Sequence, residues 1–441
     1  MGDSTREAWI TGIGIVSCLG EGPDAHWQAL SAGHIKVDAK TFAPYLVHPL
    51  APLELDKQIP KKGDQRQMEP WQRIGTYAAG LALDSAGVKG NADLLSRLDM
   101  IVAAGGGERD VAVDGAILTN RRKAGNPGAF LNERLMSDLR PTLFLAQLSN
   151  LLAGNISIVH GVTGSSRTFM GEEAAGVDAV RIALARITSG QSELALVGGS
   201  HNGERQDLLL LYDTGGHMLR GAFKPVWERE AGMVLGSLGA FLVLEAREHA
   251  QARNAKPLAR LSAVISERSS RPPGAVTGAL ERMWQSIGAQ REPAGIAVLS
   301  GATGAQPATG EERAWLKARP ELPVRATASY LGHALEPQFA MNIALATLAL
   351  RHEKLFAPAD SSGVERGYDG PLDRVVVTAV GHWRGEGMAL IERPIIAAFD
   401  TGRIDRSEQL FVAERERCKR NIHSELRLER VAEIACGRAH W

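Results

Sequence analysis

The residues of greatest chemical interest lie at 153–200, AGNISIVHGVTGSSRTFMGEEAAGVDAVRIALARITSGQSELALVGGS. The order of patterns predicts the end of a helix, a short strand, a tight turn, a second helix and a second strand. A turn from a strand into a helix is where many α/β enzymes place a nucleophile, because the helix amides stabilise negative charge beside it. Here the turn carries Gly171, Glu172 and Glu173, without a serine or a cysteine. The stretch therefore has the frame for nucleophilic chemistry but lacks the nucleophile.

Hydrophobic spacing predicts the elements that hold this turn. Apolar residues recur at three- and four-residue steps from Val177 to Ile187, which predicts an amphipathic helix over residues 174–188. Gly190 then ends the helix, and the apolar run 194–197 predicts a buried parallel strand. We therefore expect the two glutamates at the first turn of a helix between two strands.

Segments with the same two kinds of pattern extend over most of the chain. They predict helices at 71–87, 141–152, 246–255, 311–318 and 338–351, a strand that enters a glycine loop at 8–20, and strands at 100–104, 296–299 and 374–380. Helices and strands in alternation indicate an α/β protein. The two successive series are similar in make-up, which is what an internal duplication produces.

The cysteines lie outside the part of the chain expected to form the core. There are three, Cys18, Cys418 and Cys436, so residues 19–417 contain no thiol. An odd and sparse set argues against a disulfide scaffold. Because a thiolate nucleophile needs a cysteine, the presumed core has none to offer.

The composition is that of an ordinary globular protein. The chain has 441 residues, 44% hydrophobic and 23% charged, enough for a large core in two halves. Its 50 Lys and Arg balance its 50 Asp and Glu, which does not indicate binding to nucleic acid or to a membrane surface. We see no apolar run of membrane-spanning length and no signal-peptide pattern at the N-terminus. We therefore expect a cytoplasmic protein.

Other kinds of site are less well supported. Glu173 is also a residue that commonly caps a helix, and Glu172 and Glu173 are adjacent on a helix, where neighbours do not face each other as an acid/base pair would. Ser165, Ser166 and Ser300 lack His and Asp partners in the order of a serine-hydrolase triad. The histidines show no metal-ligand spacing, so we expect no metal site. The N-terminal glycine loop lacks the full dinucleotide fingerprint, so we also expect no cofactor.

Residues 153–173 resemble a motif of the β-ketoacyl-acyl-carrier-protein synthases of the thiolase fold. Elongating members of that family have a helix that ends in A-G, a short strand and then T-A-C-x-S-G. Without a gap, Ala153-Gly154 fall on the A-G and Glu173 falls on the nucleophilic cysteine. Residues 8–20 and 223–245 resemble two further family segments, V-T-G-x-G-x-V-S-x-L-G and R-P-F-D-x-x-R-D-G-x-V-x-G-E-G-A-G-x-x-V-L-E.

The resemblance implies a particular α/β architecture. The expected fold is thiolase-like, with layers in the order α-β-α-β-α and two related halves, each containing a mixed five-stranded sheet. Residues 1–250 would form the N-terminal half and residues 251–396 the C-terminal half. Residues 397–441 would be a tail, either a solvated helix or an arm that contacts a partner.

The resemblance also implies a set of catalytic positions. A condensing enzyme of this family uses a cysteine thiolate to carry the acyl chain and two histidines to stabilise the enolate formed when malonyl loses CO2. Glu173 replaces the cysteine, Ser300 replaces the first histidine and His333 matches the second. The lysine that precedes the second histidine in the family is replaced by Ala328. Losing one member of such a unit costs orders of magnitude in rate.

The charge of Glu173 and the last glycine loop also disfavour the family chemistry. The helix N-terminus should lower the pKa of the Glu173 carboxyl, and the resulting anion would repel a malonyl carboxylate. In the loop at 378–386, Trp383 and Arg384 replace glycines, so we expect the backbone to stay away from an acyl carbonyl and the acyl tunnel to be blocked. His382 stands where the family has an aromatic gate to the substrate.

Leu143 and Phe144 are candidate substrate contacts. In the same ungapped register they fall where family members place apolar residues at the dimer interface, near the floor of the partner's acyl tunnel. Plain core packing explains two apolar residues in a helix equally well. The sequence leaves both interpretations open.

The resemblance favours the non-catalytic partner subunit of a heterodimeric β-ketoacyl synthase, similar to a chain-length factor, in fatty acid or polyketide biosynthesis. Its partners would be a Cys-containing synthase subunit, or a second copy of this chain in a homodimer, and an acyl carrier protein. One alternative is an active 3-oxoacyl-acyl-carrier-protein synthase or a malonyl decarboxylase. Another is an acyl- or carrier-protein-binding module without a synthase partner. The sequence does not decide whether the protein is an enzyme.

Overall fold

Strands and helices alternate along the chain, as the apolar segments predict. The computed structural model describes residues 6–139, 141–289 and 295–394. Its strands are β1 (Ala8–Ser17), β2 (Gly20–Glu21), β3 (Val47–His48), β4 (Asp99–Ala103), β5 (Ser166–Phe169), β6 (Leu194–His201), β7 (Leu235–Gly236), β8 (Leu238–Ala246), β9 (Ala259–Glu267), β10 (Ile296–Ser300), β11 (Val324–Ala326), β12 (Arg374–Val380) and β13 (Glu386–Glu392).

The helices pack around these strands. They are α1 (Gly22–Ser31), α2 (Lys62–Gln67), α3 (Pro70–Ser85), α4 (Ala92–Arg97), α5 (Val111–Arg121), α6 (Pro127–Ser137), α7 (Pro141–Ala146), α8 (Leu151–His160), α9 (Glu172–Thr188), α10 (Gln206–Thr214), α11 (Arg247–Ala252), α12 (Ala275–Ile287), α13 (Ala308–Lys317), α14 (Ala328–Leu331) and α15 (Gln338–Arg351), with short 3-10 turns at Leu55–Lys57 and Val226–Glu228. Among the residues described, no helix is long and apolar enough to cross a membrane.

Two sets of five strands repeat one arrangement. In the first set β5, β4 and β6 are parallel, and β8 and β1 follow antiparallel. In the second set β11, β10 and β12 are parallel, and β13 and β9 follow antiparallel. The sets therefore share order and direction, as an internal duplication predicts. A short antiparallel ladder of β1 with β9, from Ala8 to Ile10, joins them into one sheet of 11 strands that includes β2.

Helices α9 and α15 form the layer between the two sets of strands. Both helices contact strands of each set. All residues of α15 from Gln338 to Leu350 are buried, which explains why its sequence is apolar on every side. The largest hydrophobic cluster contains both helices and the inward faces of the strands. This central layer fixes the position of the N-terminus of α9, where Glu173 lies.

The outer layers complete the predicted order of helix and sheet layers. Helices α3 and α8 cover the first set of strands, and their contact forms a second hydrophobic cluster. Helices α12 and α13 cover the second set over a third cluster, in which Trp284 and Trp315 meet edge to face. Residues 250 and 251, the predicted boundary between halves, lie within α11. The predicted tail at 397–441 lies outside the described residues.

The structure differs from the predicted elements in several places, and helices α5, α6, α10 and α12 were not predicted. The single helix predicted at 141–152 is two helices, α7 and α8, because tertiary hydrogen bonds hold the segment between them. Ser149 Oγ donates to the carbonyl of Gly105 at 2.7 Å, and the Gln147 amide donates to the carbonyl of Glu108. Strands β9 and β13 were not predicted, and they pair antiparallel with each other although they are distant in sequence.

Strand β1 packs closely against helix α3 at Gly14. A Cβ at Gly14 would lie 2.0 Å from the carbonyl oxygen of Ala78 and 2.4 Å from the amide nitrogen of Ala82, and backbone atoms cannot rotate away. We expect Gly14→Ala to lower the free energy of unfolding by about 2 kcal/mol or more. Gly63 on α2 has no atom within 4 Å of the same position, so Gly63→Ala is the matched control. Urea unfolding of both variants measures the difference, and an equally stable Gly14→Ala would contradict this packing.

Candidate functional site

The turn between β5 and α9 directs Glu173 into the protein. Gly171 has φ 129° and Glu172 has φ 56°, so both lie in the left-handed region that a non-glycine residue rarely adopts. Helix α9 begins at this turn with two glutamates, and their side chains differ in burial. Glu173 is buried, with 5% of its surface exposed, whereas Glu172 is partly exposed.

Two histidines from distant loops meet the Glu173 carboxylate. His333 donates from Nε2 to Glu173 Oε1 at 2.8 Å, and His382 donates from Nδ1 to the same oxygen at 2.9 Å. The backbone N–H of His382 donates to it as well, at 3.1 Å. Because a carboxylate oxygen only accepts, both ring nitrogens that face it carry protons in this arrangement. The three residues therefore form a closed cluster of buried groups, which we call the Glu–His cluster.

Tight backbone turns place the two histidines. Gly332, with φ 71°, precedes His333, and the His333 N–H donates to the carbonyl of Val234 at 2.8 Å. On the other side the N–H of Gly381 donates to the carbonyl of Gly385 at 2.9 Å and closes the loop that carries His382. A Cβ at Gly381 would lie 3.2 Å from Glu173 Oε2, so this glycine leaves room for the carboxylate.

The electrostatics of the Glu–His cluster are those of an ion pair. Burial alone would raise the pKa of Glu173, but hydrogen bonds from His333 and His382 outweigh it and hold this pKa well below the ordinary value. Burial would lower the pKa of His382, but the bond to Glu173 and the charge of Glu172 raise it. The anionic Glu173 predicted from the helix N-terminus is therefore stabilised chiefly by the two histidines.

A second group of polar side chains surrounds the cluster. Glu172 Oε1 lies 3.7 Å from His382 Nε2 and accepts a hydrogen bond from the Tyr212 hydroxyl at 3.3 Å. Burial raises the pKa of Glu172. The rings of Tyr212 and His217 pack edge-on against His382, with centroids 5.1 and 5.0 Å apart. The ring of His382 is thus enclosed by Glu172, Tyr212 and His217.

Ser300 belongs to a different polar group. Its hydroxyl donates to Glu312 Oε1 at 2.8 Å, and the Thr378 hydroxyl donates to the same oxygen at 2.5 Å. All three residues are fully buried. The structure therefore brings Glu173, His333 and His382 together. Ser300 is hydrogen-bonded to Glu312 instead. Burial raises the pKa of Glu312, and the two hydroxyls oppose that rise.

Sequence reasoning missed Glu312 and the joint role of His333 and His382. A signal for Glu312 exists, because it shares the apolar face of α13 with Ala308, Trp315 and Leu316. A carboxyl at such a position is costly to bury without partners. Nothing in the sequence indicates that His333 and His382 meet. They are 49 positions apart (382 minus 333), and this spacing matches no ligand motif.

The residues predicted to contact substrate line two cavities. Leu143 and Phe144 line one of about 550 Å³, together with Met136. Leu143 is buried, but Phe144 is 72% exposed, so core packing is the wrong explanation for Phe144. His382, Trp383 and Arg384 line the other, of about 530 Å³. Trp383 is 61% exposed and lies at the rim, while His382 occupies the interior next to Glu173.

Comparison with known proteins shows the family to which this chain belongs. Residues 5–250 match the model of the β-ketoacyl synthase N-terminal domain, so the chain belongs to the β-ketoacyl synthase family. It is 25% identical over 270 residues to 3-oxoacyl-[acyl-carrier-protein] synthase 2 of Vibrio harveyi, covering 58% of this chain and 62% of the relative's length. It is 27% identical to the tetracenomycin polyketide synthase ketoacyl synthase beta subunit of Streptomyces glaucescens, covering 86% of this chain and 95% of that subunit.

The fold is shared with solved ketosynthase structures. The structure titled "the ishigamide ketosynthase/chain length factor" superposes with a TM-score of 0.73 at 19% identity, covering 89% of this chain and 100% of that one. At this identity the likeness concerns the fold alone. The expected thiolase-like α/β fold is therefore confirmed.

The buried carboxyl of Glu312 makes stability depend on pH. Because its pKa in the folded protein lies above the ordinary value of 4.5, the folded state keeps a proton that the unfolded state loses. The free energy of unfolding should therefore fall as pH rises from 4.5 toward the raised pKa. We expect Glu312→Gln to flatten this fall, because the amide oxygen still accepts from Ser300 and Thr378 but carries no charge.

Urea unfolding between acid and mildly alkaline pH measures this effect. Glu321→Gln, at an exposed position, is the matched control and should keep the pH dependence of the wild type. A Glu312→Gln variant whose stability follows the wild type across the whole range would contradict the assignment.

Proposed function

We propose that this protein is the non-catalytic partner subunit of a heterodimeric β-ketoacyl synthase, similar to a chain-length factor. The observation that carries the proposal is Glu173 at the nucleophile position, with Oε1 bound by His333 and His382. A carboxylate in this state does not carry an acyl chain as a reactive thioester. Its negative charge also opposes the approach of a malonyl carboxylate.

The described residues contain no substitute thiol in a reactive setting. Cys18 is buried, its Sγ lies 3.3 Å from the carbonyl oxygen of Tyr330, and burial raises the pKa of its thiol to about 12. A thiol with so high a pKa is inert as a nucleophile. The subunit therefore depends on a partner for the thiolate that condensation requires.

An exposed apolar surface around β5 supports association with such a partner. Strand β5 is at one end of the sheet, paired on one side with β4, and its other edge offers unpaired backbone groups. Large apolar side chains are exposed on α7, on α8, between these two helices and just after β5; these are Phe144, Leu145, Leu148, Ile158 and Met170. Contiguous exposed apolar side chains mark interaction surfaces. We call this set the β5 surface.

The relatives indicate which partner suits this surface. One relative is a beta subunit of a polyketide synthase ketoacyl synthase, matched over 95% of its length. Another acts, by its name, on acyl-carrier-protein substrates. We therefore infer a Cys-containing β-ketoacyl synthase as the partner and an acyl carrier protein as the supplier of the chain.

Acyl loading tests the missing nucleophile. The pure protein is incubated with acyl- and malonyl-carrier protein, alone and with a candidate Cys-containing β-ketoacyl synthase, and intact mass and released CO2 are followed. We expect no acyl adduct and no CO2 from the protein alone, and both on mixing, with the adduct on the partner. CO2 released by the protein alone, and lost in Glu173→Ala, would mean that the site works without a thiol.

Substitutions on the β5 surface test the interface. Ile158→Asp and Phe144→Asp place a charge on exposed apolar positions, so they should weaken association at least about tenfold without unfolding the protein. Ala314→Asp on α13, an exposed position in the outer layer of the second half, is the matched control. Co-purification with a tagged synthase measures the effect. Equal recovery of all three variants would place the partner elsewhere or exclude it.

A further inference from the structure

We propose that Glu173, His333 and His382 form a binding site for one divalent transition-metal ion of the zinc type. Two imidazole nitrogens and one carboxylate are a ligand set that zinc and related ions use when a coordination position stays open. All three residues are buried, and their ligand atoms lie within 4.8 Å of one another. This inference goes beyond the partner-subunit proposal and does not depend on it.

The distances within the cluster suit such an ion after a small expansion. Ligand atoms around a tetrahedral zinc ion, at about 2.0–2.2 Å from the metal, are about 3.3 Å apart. The present separations from Glu173 Oε1 are 2.8 Å to His333 Nε2 and 2.9 Å to His382 Nδ1. An ion would replace the two N–H protons that now fill the centre and move the ligand atoms apart by a few tenths of an ångström.

Unused ligand capacity is the second observation. Glu173 Oε2 is buried and has no hydrogen-bond partner among the residues described, although an unpartnered buried carboxylate oxygen is costly. His333 Nδ1 is also buried without a partner there. Moving the proton of His333 from Nε2 to Nδ1 therefore breaks no hydrogen bond at Nδ1, and it frees Nε2 to bind a metal. Glu173 Oε2 is thus available as a further ligand atom, and His333 Nδ1 is available to carry the proton that Nε2 gives up.

Residues around the Glu–His cluster place a carboxylate next to His382, and a cavity beside His382 gives a metal ion a path to the cluster. Metal-binding histidines are commonly oriented by a carboxylate on the other ring nitrogen, and Glu172 Oε1 lies 3.7 Å from His382 Nε2. His382 borders the cavity of about 530 Å³. Of the three arginines that line it, Arg271 pairs with Glu386 and Arg268 with Asp178, and Arg384 leaves a positive charge beside the path of an entering cation.

Metal titration of the full-length protein tests the site. After treatment with a chelator and dialysis, Zn²⁺ is added, unbound ion is removed and bound Zn²⁺ is measured by elemental analysis. A second metal-free sample receives Co²⁺ as a spectroscopic probe, and thermal unfolding is recorded with and without Zn²⁺. We expect one equivalent of Zn²⁺, Co²⁺ absorption bands typical of nitrogen and oxygen ligands, and a higher unfolding temperature with the ion, because binding stabilises the folded state.

Variants of the ligands decide where the ion binds. Glu173→Gln, His333→Gln and His382→Gln should each weaken metal binding at least about 100-fold. Loss of a residue that only hydrogen-bonds to a metal ligand already weakens metal binding about 10–100-fold. His34→Gln removes an exposed histidine and should bind as the wild type does. Circular dichroism confirms folding, and His382→Phe, which keeps a ring between Tyr212 and His217, replaces His382→Gln if that variant fails to fold.

Two outcomes would overturn the proposal. The first is no stoichiometric binding by the wild type. The second is binding that all three ligand variants retain. Cobalt–thiolate absorption that persists in those variants would assign the ion to Cys418 and Cys436, which lie outside the described residues. The acyl-loading result does not bear on either outcome, so failure of this site and failure of the partner-subunit proposal can be told apart.

Discussion

The buried carboxylate of Glu173 is the group whose interactions the rest of the site must satisfy. A charge in the protein interior is stable only when hydrogen bonds and opposite charge replace the water it has lost. His333 and His382 donate hydrogen bonds to Oε1, the carboxylate raises the pKa of His382 and favours its charged form, and the turn from β5 into α9 adds the helix N-terminus. Three loops from both halves of the molecule therefore have to meet at one atom. A buried ion pair of this kind also makes each partner sensitive to the loss of the other, because the remaining charge would lie unpaired.

The frame around Glu173 remains that of a nucleophile-bearing turn. Gly171 and Glu172 have a left-handed backbone that turns the next residue, Glu173, into the protein at the start of α9. In the β-ketoacyl synthase family, to which the chain belongs, that frame serves a cysteine. Here the turn carries a carboxylate, and His333 and His382 bind one of its oxygens. Ser300 lies in a separate buried polar group with Glu312 and Thr378.

Much of the architecture could be predicted from local pattern. Helix α15, the strands β10 and β12 and the helix that follows Gly171 all carry strong apolar periodicity, and their predicted bounds agree with the structure within a few residues. Prediction was wrong where distant contacts decide the backbone. The helix predicted at 141–152 is interrupted because Gln147 and Ser149 bond to the loop at 105–108. Strands β9 and β13 are held by pairing with each other, which local pattern does not reveal.

The sequence by itself determined the α/β class, the turn that carries Glu173 and the absence of a thiol between residues 19 and 417. These are properties of residue type and near spacing, and both are fixed along the chain. Only the tertiary structure decided that His333 and His382 share one oxygen of Glu173, that Ser300 bonds to Glu312, and that Phe144 is exposed. The physical reason is that hydrogen bonds and charge pairs act over about 3 Å in space, whatever the separation in sequence.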